Sequence, residues 1–280
     1  MTAHDPQLLL QLMDTVLASA KYRDIAPELI RLVGSQELAK RHNLKAAIKA
    51  TKNKLHQITG AYWQGKPTYG AWLEQLRAAH KPKGTTPDTE HLRTVCRGLM
   101  AAHASTRERL PILHDFYSTL FAGLPPIHAI LDLACGLNPL TIPWMALPPN
   151  VAYHACDVNG EQMVFLQQVL PLLGVAGDAF LCDLLCATPR QAVDVAFLFK
   201  TIPCLEQVDR AIGPRLLQEI NANVLFVSFP AQSLGGRNKG MVDTYHAHFV
   251  ELLNDIEQKN WEIEHFSFAT EVVFRLRRPL

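Results

Sequence analysis

Three aspartates of this 280-residue chain stand where a nucleoside could be held: Asp132, Asp157 (25 residues further on) and Asp183. Each falls at the end of a short apolar run that reads as a strand. A carboxylate at the end of a second strand, at that distance from the first, can accept from both hydroxyls of a ribose. A carboxylate after the third strand can accept from an adenine amino group. Between the first two acids, Asp132-Leu-Ala-Cys-Gly136-Leu-Asn138-Pro139 reads as a strand-to-helix turn in which Gly136 lets the backbone approach a ligand. A single glycine makes this a degenerate phosphate- or nucleoside-binding turn. NAD enzymes use a ribose-binding acid as well, so the residues alone leave both S-adenosylmethionine and NAD open. Each aspartate also has a structural alternative as a helix N-cap.

Upstream lies His103-Ala-Ser105-Thr-Arg-Glu108-Arg109. Ser105-x-x-Glu108 has the spacing of a capping box. Such a cap presents Arg109 on the first helical turn, where its guanidinium can grip a carboxylate bidentately. Downstream, Phe199-Lys200-Thr-Ile-Pro203-Cys204-Leu-Glu206 follows the fourth strand. Methyltransferases acting on exocyclic amines carry an Asn/Asp-Pro-Pro-aromatic motif there, and this chain does not. Pro203-Cys204 raises a rival, covalent attack by Cys204 on cytosine C5, against which stands the reading of Cys204 as an inert thiol. The twelve histidines show no metal-ligand spacing, and no Cys-x-x-Cys pair occurs among the six cysteines, which read as reduced, buried thiols.

The elements that must position these residues alternate from about residue 106. Apolar runs at 127–133, 151–156, 180–181, 193–199 and 224–229 predict buried strands, with helices over 160–170 and 214–221. Two closing strands are predicted at 261–268 and 271–276. Alternation of this kind predicts a mostly parallel sheet covered on both faces. The first hundred residues read as helical. In 44–58 the apolar Leu44, Ile48, Leu55 and Ile58 share one face, and Lys45, Lys49, Lys52 and His56 form a neighbouring cationic stripe.

Charge divides the chain in the same way. Residues 1–105 carry 15 Lys/Arg against 8 Asp/Glu, whereas residues 106–280 are net acidic, leaving +1 overall. A basic half of this kind suits a polyanionic partner. Ser233–Met241, with Arg237 and Lys239, reads as a basic glycine-rich loop without the signature of a P-loop. No signal peptide and no membrane-spanning run of about 20 apolar residues is visible, so a cytoplasmic protein is expected.

Taken jointly, the 103–109, 132–139 and 199–206 motifs and Ser228-Phe-Pro230…Ser233-Leu-Gly-Gly-Arg237-Asn-Lys239-Gly-Met241 resemble the 16S rRNA (guanine-1405-N7)-methyltransferase family. Members of that family confer resistance to 4,6-disubstituted deoxystreptamine aminoglycosides. The similarity also covers Lys21-Tyr22 and Leu55-His56…Gly60-Ala61-Tyr62, so it spans nearly the whole chain. It implies an α/β class I S-adenosylmethionine-dependent (Rossmann-like) methyltransferase domain over 106–280, with a helical rRNA-binding domain over 1–105. By matching position it implies that Tyr62, His103, Ala104, Ser105, Arg109, Ala134, Gly136, Asp157, Asp183, Leu184 and Phe199 surround S-adenosyl-L-methionine. Lys200 and Glu206 become catalytic candidates. Lys45, Lys49, Lys52, Arg237, Lys239 and Met241 become RNA contacts. The implied partner is 16S rRNA within the assembled 30S subunit, with no metal, membrane or obligate protein partner.

Overall fold

A computed structural model describes residues 6–41, 43–80, 89–231, 241–256 and 261–278. The amino-terminal part is helical: α1 (Pro6–Leu17), α2 (Pro27–Lys40), α3 (Leu44–Leu55), α4 (Tyr69–Ala79) and α5 (Thr89–Met100). Two shorter helices follow, α6 (Ala104–Arg109) and α7 (Leu113–Phe121). Helix α2 opens with Pro27, whose fixed φ and missing N–H suit a first turn, and closes with Lys40 at the negative end of its dipole. Helix α3 is capped by Asn43, whose side chain accepts from the Ala46 amide at 2.8 Å. The helical periodicity of 44–58 is split: α3 stops at Leu55 and the chain continues as a π-helical turn over His56–Gly60.

The rest alternates between strands and helices, although β3 is largely exposed where a buried strand was expected: β1 (Ala129–Leu133), β2 (Ala152–Asp157), α8 (Gly160–Val169), β3 (Ala176–Leu181), β4 (Val193–Phe199), α9 (Ile202–Leu205), α10 (Ile212–Glu219), β5 (Ala222–Pro230), α11 (Met241–Asn254), β6 (Glu262–Ser267) and β7 (Glu271–Arg277). These strands form one seven-stranded sheet in the order β3-β2-β1-β4-β5-β7-β6. The first five strands run parallel; β7 joins β5 antiparallel and carries β6 at the edge. This is the class I methyltransferase architecture expected from the sequence.

The central strands are predominantly apolar because both faces are covered. Alternate side chains divide between two cores: Ala196, Leu198, Leu225 and Val227 enter one, Val195, Phe197, Val224 and Phe226 the other. The first core also takes in Leu12, Val16, Ile30 and Leu55 of the amino-terminal helices, so apolar packing is continuous across residue 105. Backbone bonds stitch the same junction. Ala26 N donates to Val158 O and Gly160 N to Asp24 O, at 2.8 and 2.7 Å. Residues 62–64 pair likewise with 102–104, through Gln64 N to Ala102 O and Ala104 N to Tyr62 O.

Candidate active site

Strand order reverses between β1 and β4, where open α/β sheets leave a crevice beyond their carboxyl ends. A cavity of about 630 Å³ opens there. The ends of β1, β2 and β4 form one side; the other comes from the chain before α2 and the π-helical turn, including Lys21, Asp24, Ile25 and His56. Ten of the eleven residues assigned to the cofactor line this cavity. The exception is Ala104, which is buried behind the wall and ties Tyr62 in place through its amide.

The turn after β1 is tightened by two left-handed residues, Ala134 at φ 49° and Gly136 at φ 52°. Alanine thus occupies one position where glycine is the easier choice. At Gly136 an added Cβ would also lie 3.1 Å from His103 Cε1, so the contact as well as the φ selects glycine. Asp157 accepts from the Gly136 amide at 2.9 Å and the Val158 amide at 2.7 Å, which binds the β1 turn to the end of β2. It is not an N-cap; Asn159 caps α8. Burial raises the Asp157 carboxyl, and these amides oppose that rise. Asp183 accepts from the Leu185 amide at 3.0 Å and faces the same cavity beside Leu184. Asp132 lies deeper, accepting from Tyr153 Oη at 2.6 Å and Asn138 Nδ2 at 3.0 Å. Burial pushes its pKa up to about 7, despite those two hydrogen bonds.

His103 stacks on Tyr62 with ring centroids 5.9 Å apart and meets Trp63 edge-on. Its Nδ1 is buried without a hydrogen-bond partner. Burial, with Lys200 and Arg107 nearby, lowers its pKa to about 4, so the ring is neutral at physiological pH. Tyr62 Oη lies 2.8 Å from Cys204 Sγ. Burial raises the Cys204 thiol, which favours the inert reading over a thiolate nucleophile. Tyr62, Ser105, Lys200 and Cys204 line both this cavity and a second one of about 270 Å³, forming a shared wall. Cys96, Cys135 and Cys156 are buried as expected, but Cys186 is exposed.

Behind the wall runs a buried ionic ladder. Arg109, fully buried, donates from Nη2 and Nε to the two oxygens of Glu271 at 2.6 and 3.0 Å, and from Nη1 to Asn138 Oδ1 at 2.5 Å. Glu271 also accepts from Ser228 at 2.5 Å and has Lys200 Nζ at 3.5 Å. Lys200 Nζ in turn pairs with Glu108 at 2.9 Å. Burial alone would raise the Glu271 carboxyl; the Arg109 and Lys200 charges outweigh it and hold the group below its ordinary range.

Several expectations are corrected here. In this structure the bidentate partner of Arg109 is Glu271, not an external carboxylate, although Arg109 also lines the cavity. The Lys200 side chain is only 8% exposed, so it neither snorkels nor reaches for a phosphate. No capping box forms: His103 occupies the N-cap of α6 without a side-chain bond, which leaves Ser105 on the cavity wall and Glu108 free to pair with Lys200. Glu271 and Asn138 carried no assigned role in the sequence. An acid standing directly before the short apolar run Val272-Val273-Phe274 was the available signal for Glu271.

The family model of FmrO ribosomal RNA methyltransferases matches residues 18–275. This chain belongs to that family. It is 38% identical to the 16S rRNA (guanine(1405)-N(7))-methyltransferase of Frankia casuarinae, over 95% of this chain and 92% of the relative. It is 35% identical to that of Micromonospora echinospora, over 96% of each. Among solved structures, the 16S rRNA methyltransferase RmtF in complex with S-adenosyl-L-homocysteine superposes with a TM-score of 0.79 at 28% identity, covering 99% of this chain and 100% of RmtF. The 16S rRNA methylase RmtB gives 0.74 at 27% identity, covering 97% and 98%.

In this FmrO-family enzyme the remaining assigned residues fall apart from one another. Glu206 lines neither cavity; just past the end of α9, its side chain pairs with His248 of α11 at 2.8 Å. A direct catalytic contact is not available to it there. Lys45 and Lys49 are exposed on α3, but Lys52 is half-buried and donates to Ser19 Oγ at 2.5 Å, which makes it a tie to the α1–α2 connection. Met241 lines the second cavity. Arg237 and Lys239 lie outside the described residues.

Proposed function

We propose that this rRNA methyltransferase transfers a methyl group from S-adenosyl-L-methionine to N7 of guanine 1405 of 16S rRNA, in the 30S subunit in the cytoplasm. The expected consequence is resistance to 4,6-disubstituted deoxystreptamine aminoglycosides. The observation that carries the reading is the pair of cavities with one shared wall: a donor and an acceptor in adjoining pockets can be held in line for direct transfer.

The larger cavity fits the donor by its chemistry. Asp157 is set to accept from the ribose hydroxyls and Asp183 from the adenine amino group. His103 offers a buried, unpartnered nitrogen, and its neutrality keeps a second positive charge away from a sulfonium. When bound, S-adenosyl-L-methionine supplies an electrophilic methyl on that sulfonium. N7 of guanine is an acceptor that carries no proton, so no residue need act as a general base. At the shared wall burial raises the Cys204 thiol, and Lys200 is paired with Glu108. Cytosine C5 chemistry through Cys204 finds no support, since burial raises its thiol more than the Tyr62 contact lowers it.

Residues 1–105 are proposed to dock on rRNA. From Lys45 to His56 the cationic stripe of α3 and its π-turn extends about 16 Å at helical rise, and its His56 end lines the donor cavity. A stripe of cations leading to the donor pocket suits a phosphate track. Arg237, Lys239 and Met241 are proposed to contact the RNA as well.

The deciding experiment incubates purified protein and S-adenosyl-L-methionine with 30S subunits and maps the modified nucleotide. A methyl on N7 of guanine 1405 is the expected result. Modification of a cytosine or of an exocyclic amine would overturn the proposal. A folded decoding site is read by shape and phosphates, so assembled subunits should be modified far better than free 16S rRNA.

A further inference from the structure

The second cavity contains a charged pair that the transfer itself does not require. Glu108 lines this cavity and not the donor cavity, and its side chain is 26% exposed. Lys200, which lines both, holds one Glu108 oxygen at 2.9 Å and is itself anchored by Glu271 at 3.5 Å and by the Ser105 carbonyl at 3.3 Å. The backbone of Lys200 adopts φ 56°, a left-handed conformation a lysine rarely takes. Its amide donates to Ser228 O at 2.9 Å. The lysine is therefore fixed at both ends, and the carboxylate it holds is fixed with it.

We infer that Glu108, set by Lys200, reads the Watson–Crick edge of the target guanine, and so selects guanine over adenine. This rests on the guanine-N7 reading above. Around the base, N7 is followed by O6, then N1–H, then the exocyclic N2 amine. In the cavity, Lys200 belongs to the wall shared with the donor cavity, and the Glu108 carboxylate lies 2.9 Å from its ammonium. The ammonium is already met by Glu108, Glu271 and the Ser105 carbonyl, so the discrimination falls on the carboxylate: with N7 at the wall, N1–H and N2–H face it, donors facing an acceptor. Adenine offers a bare lone pair at N1 and no N2 amine. It would set acceptor against acceptor.

The remaining walls suit a flat ring. Tyr62, Tyr245 and Met241 line the same space. At about 270 Å³ it lies below the roughly 300–1,000 Å³ of sites for drug-sized ligands. Enzymes that modify a base extrude it and read its Watson–Crick edge in this way. The carboxylate has a second use here. As the N7 lone pair forms the new N–CH3 bond and the C–S bonding pair returns to sulfur, the positive charge moves from the donor to the purine. Glu108 is then a counter-charge next to the ring that acquires it.

The test compares wild type with Glu108→Gln on 30S subunits carrying guanine or adenine at the target position. Cofactor affinity is measured by calorimetry on the same preparations. Wild type should modify guanine and leave adenine untouched. The variant should keep its cofactor affinity, lose about tenfold to a hundredfold in transfer to guanine, and show a narrowed preference, because an amide can donate to adenine N1. Unchanged rate and preference in Glu108→Gln would overturn the inference. So would parallel loss of cofactor affinity, which would make Glu108 a structural support. If wild type itself modifies no guanine N7, the functional reading fails first; guanine transfer indifferent to Glu108 sinks this inference alone. Glu108→Asp, which keeps the charge, should recover more guanine preference than Glu108→Gln.

Discussion

The donor cavity is held by two sets of acids that work in opposite ways. Asp157 and Asp183 are strand-end carboxylates whose bonds reach amides no more than 21 residues away. They face the cavity and keep acceptor capacity to spare. Glu271 is fully buried, bridges Arg109 across 162 residues, and has no lone pair turned to a ligand. The first set borders the cavity, and the second holds the wall behind it. A buried charge in this second role is costly to disturb, because removing one partner strands the other in a medium that cannot solvate it.

That contrast predicts how each region fails. Glu271→Ala should be the most damaging change, lowering folding stability by about 3–5 kcal/mol in chemical denaturation through the stranded Arg109 guanidinium. A change under 1 kcal/mol would erase the distinction between the two sets. Asp157→Ala should instead appear in affinity: calorimetry should record about 1.5–3 kcal/mol weaker binding of S-adenosyl-L-methionine, the worth of hydrogen bonds to a charged acceptor. Asp132 sharpens the comparison, being a strand-end acid by position but buried like the ladder. Its folded pKa of about 7 exceeds its ordinary 3.8, so the folded state holds the extra proton between those values. Stability from this group is complete below 3.8 and is lost as pH rises through 7. Asp132→Asn should flatten the stability profile across that window; an unchanged slope would mean that Asp132 stays ionised. Lys45→Ala should shift the salt dependence of subunit binding by about one phosphate contact, a slope change of roughly 0.7–0.9. Cys204→Ser should do least, retaining methylation, whereas complete loss would revive the covalent route.

Much of the donor site could be read before any coordinates because its residues are local to their elements. An apolar run of five to seven residues ends, and the next polar residue lies at the carboxyl edge of the sheet; Asp157 follows from that alone. The capping box failed for the same local reasoning, since Ser105-x-x-Glu108 has the right spacing but α6 starts one residue earlier, at Ala104. Glu206 failed because a four-residue helix, α9, decides which way its side chain points, and spacing does not encode that direction.

Hydrophobic periodicity and spacing in this chain were enough to determine the covered sheet and the acids at the strand ends, because each depends on neighbours within one element; the family followed from the joint resemblance of motifs spread over nearly the whole chain. The ladder of Arg109, Glu271, Lys200 and Glu108, and with it the wall between the two cavities, was decided only by tertiary structure. Its physical basis is register: β7 pairs with β5 so that Glu271 lies opposite Pro230, two residues from Ser228. A slip of one residue would turn that carboxylate to the other face of the sheet.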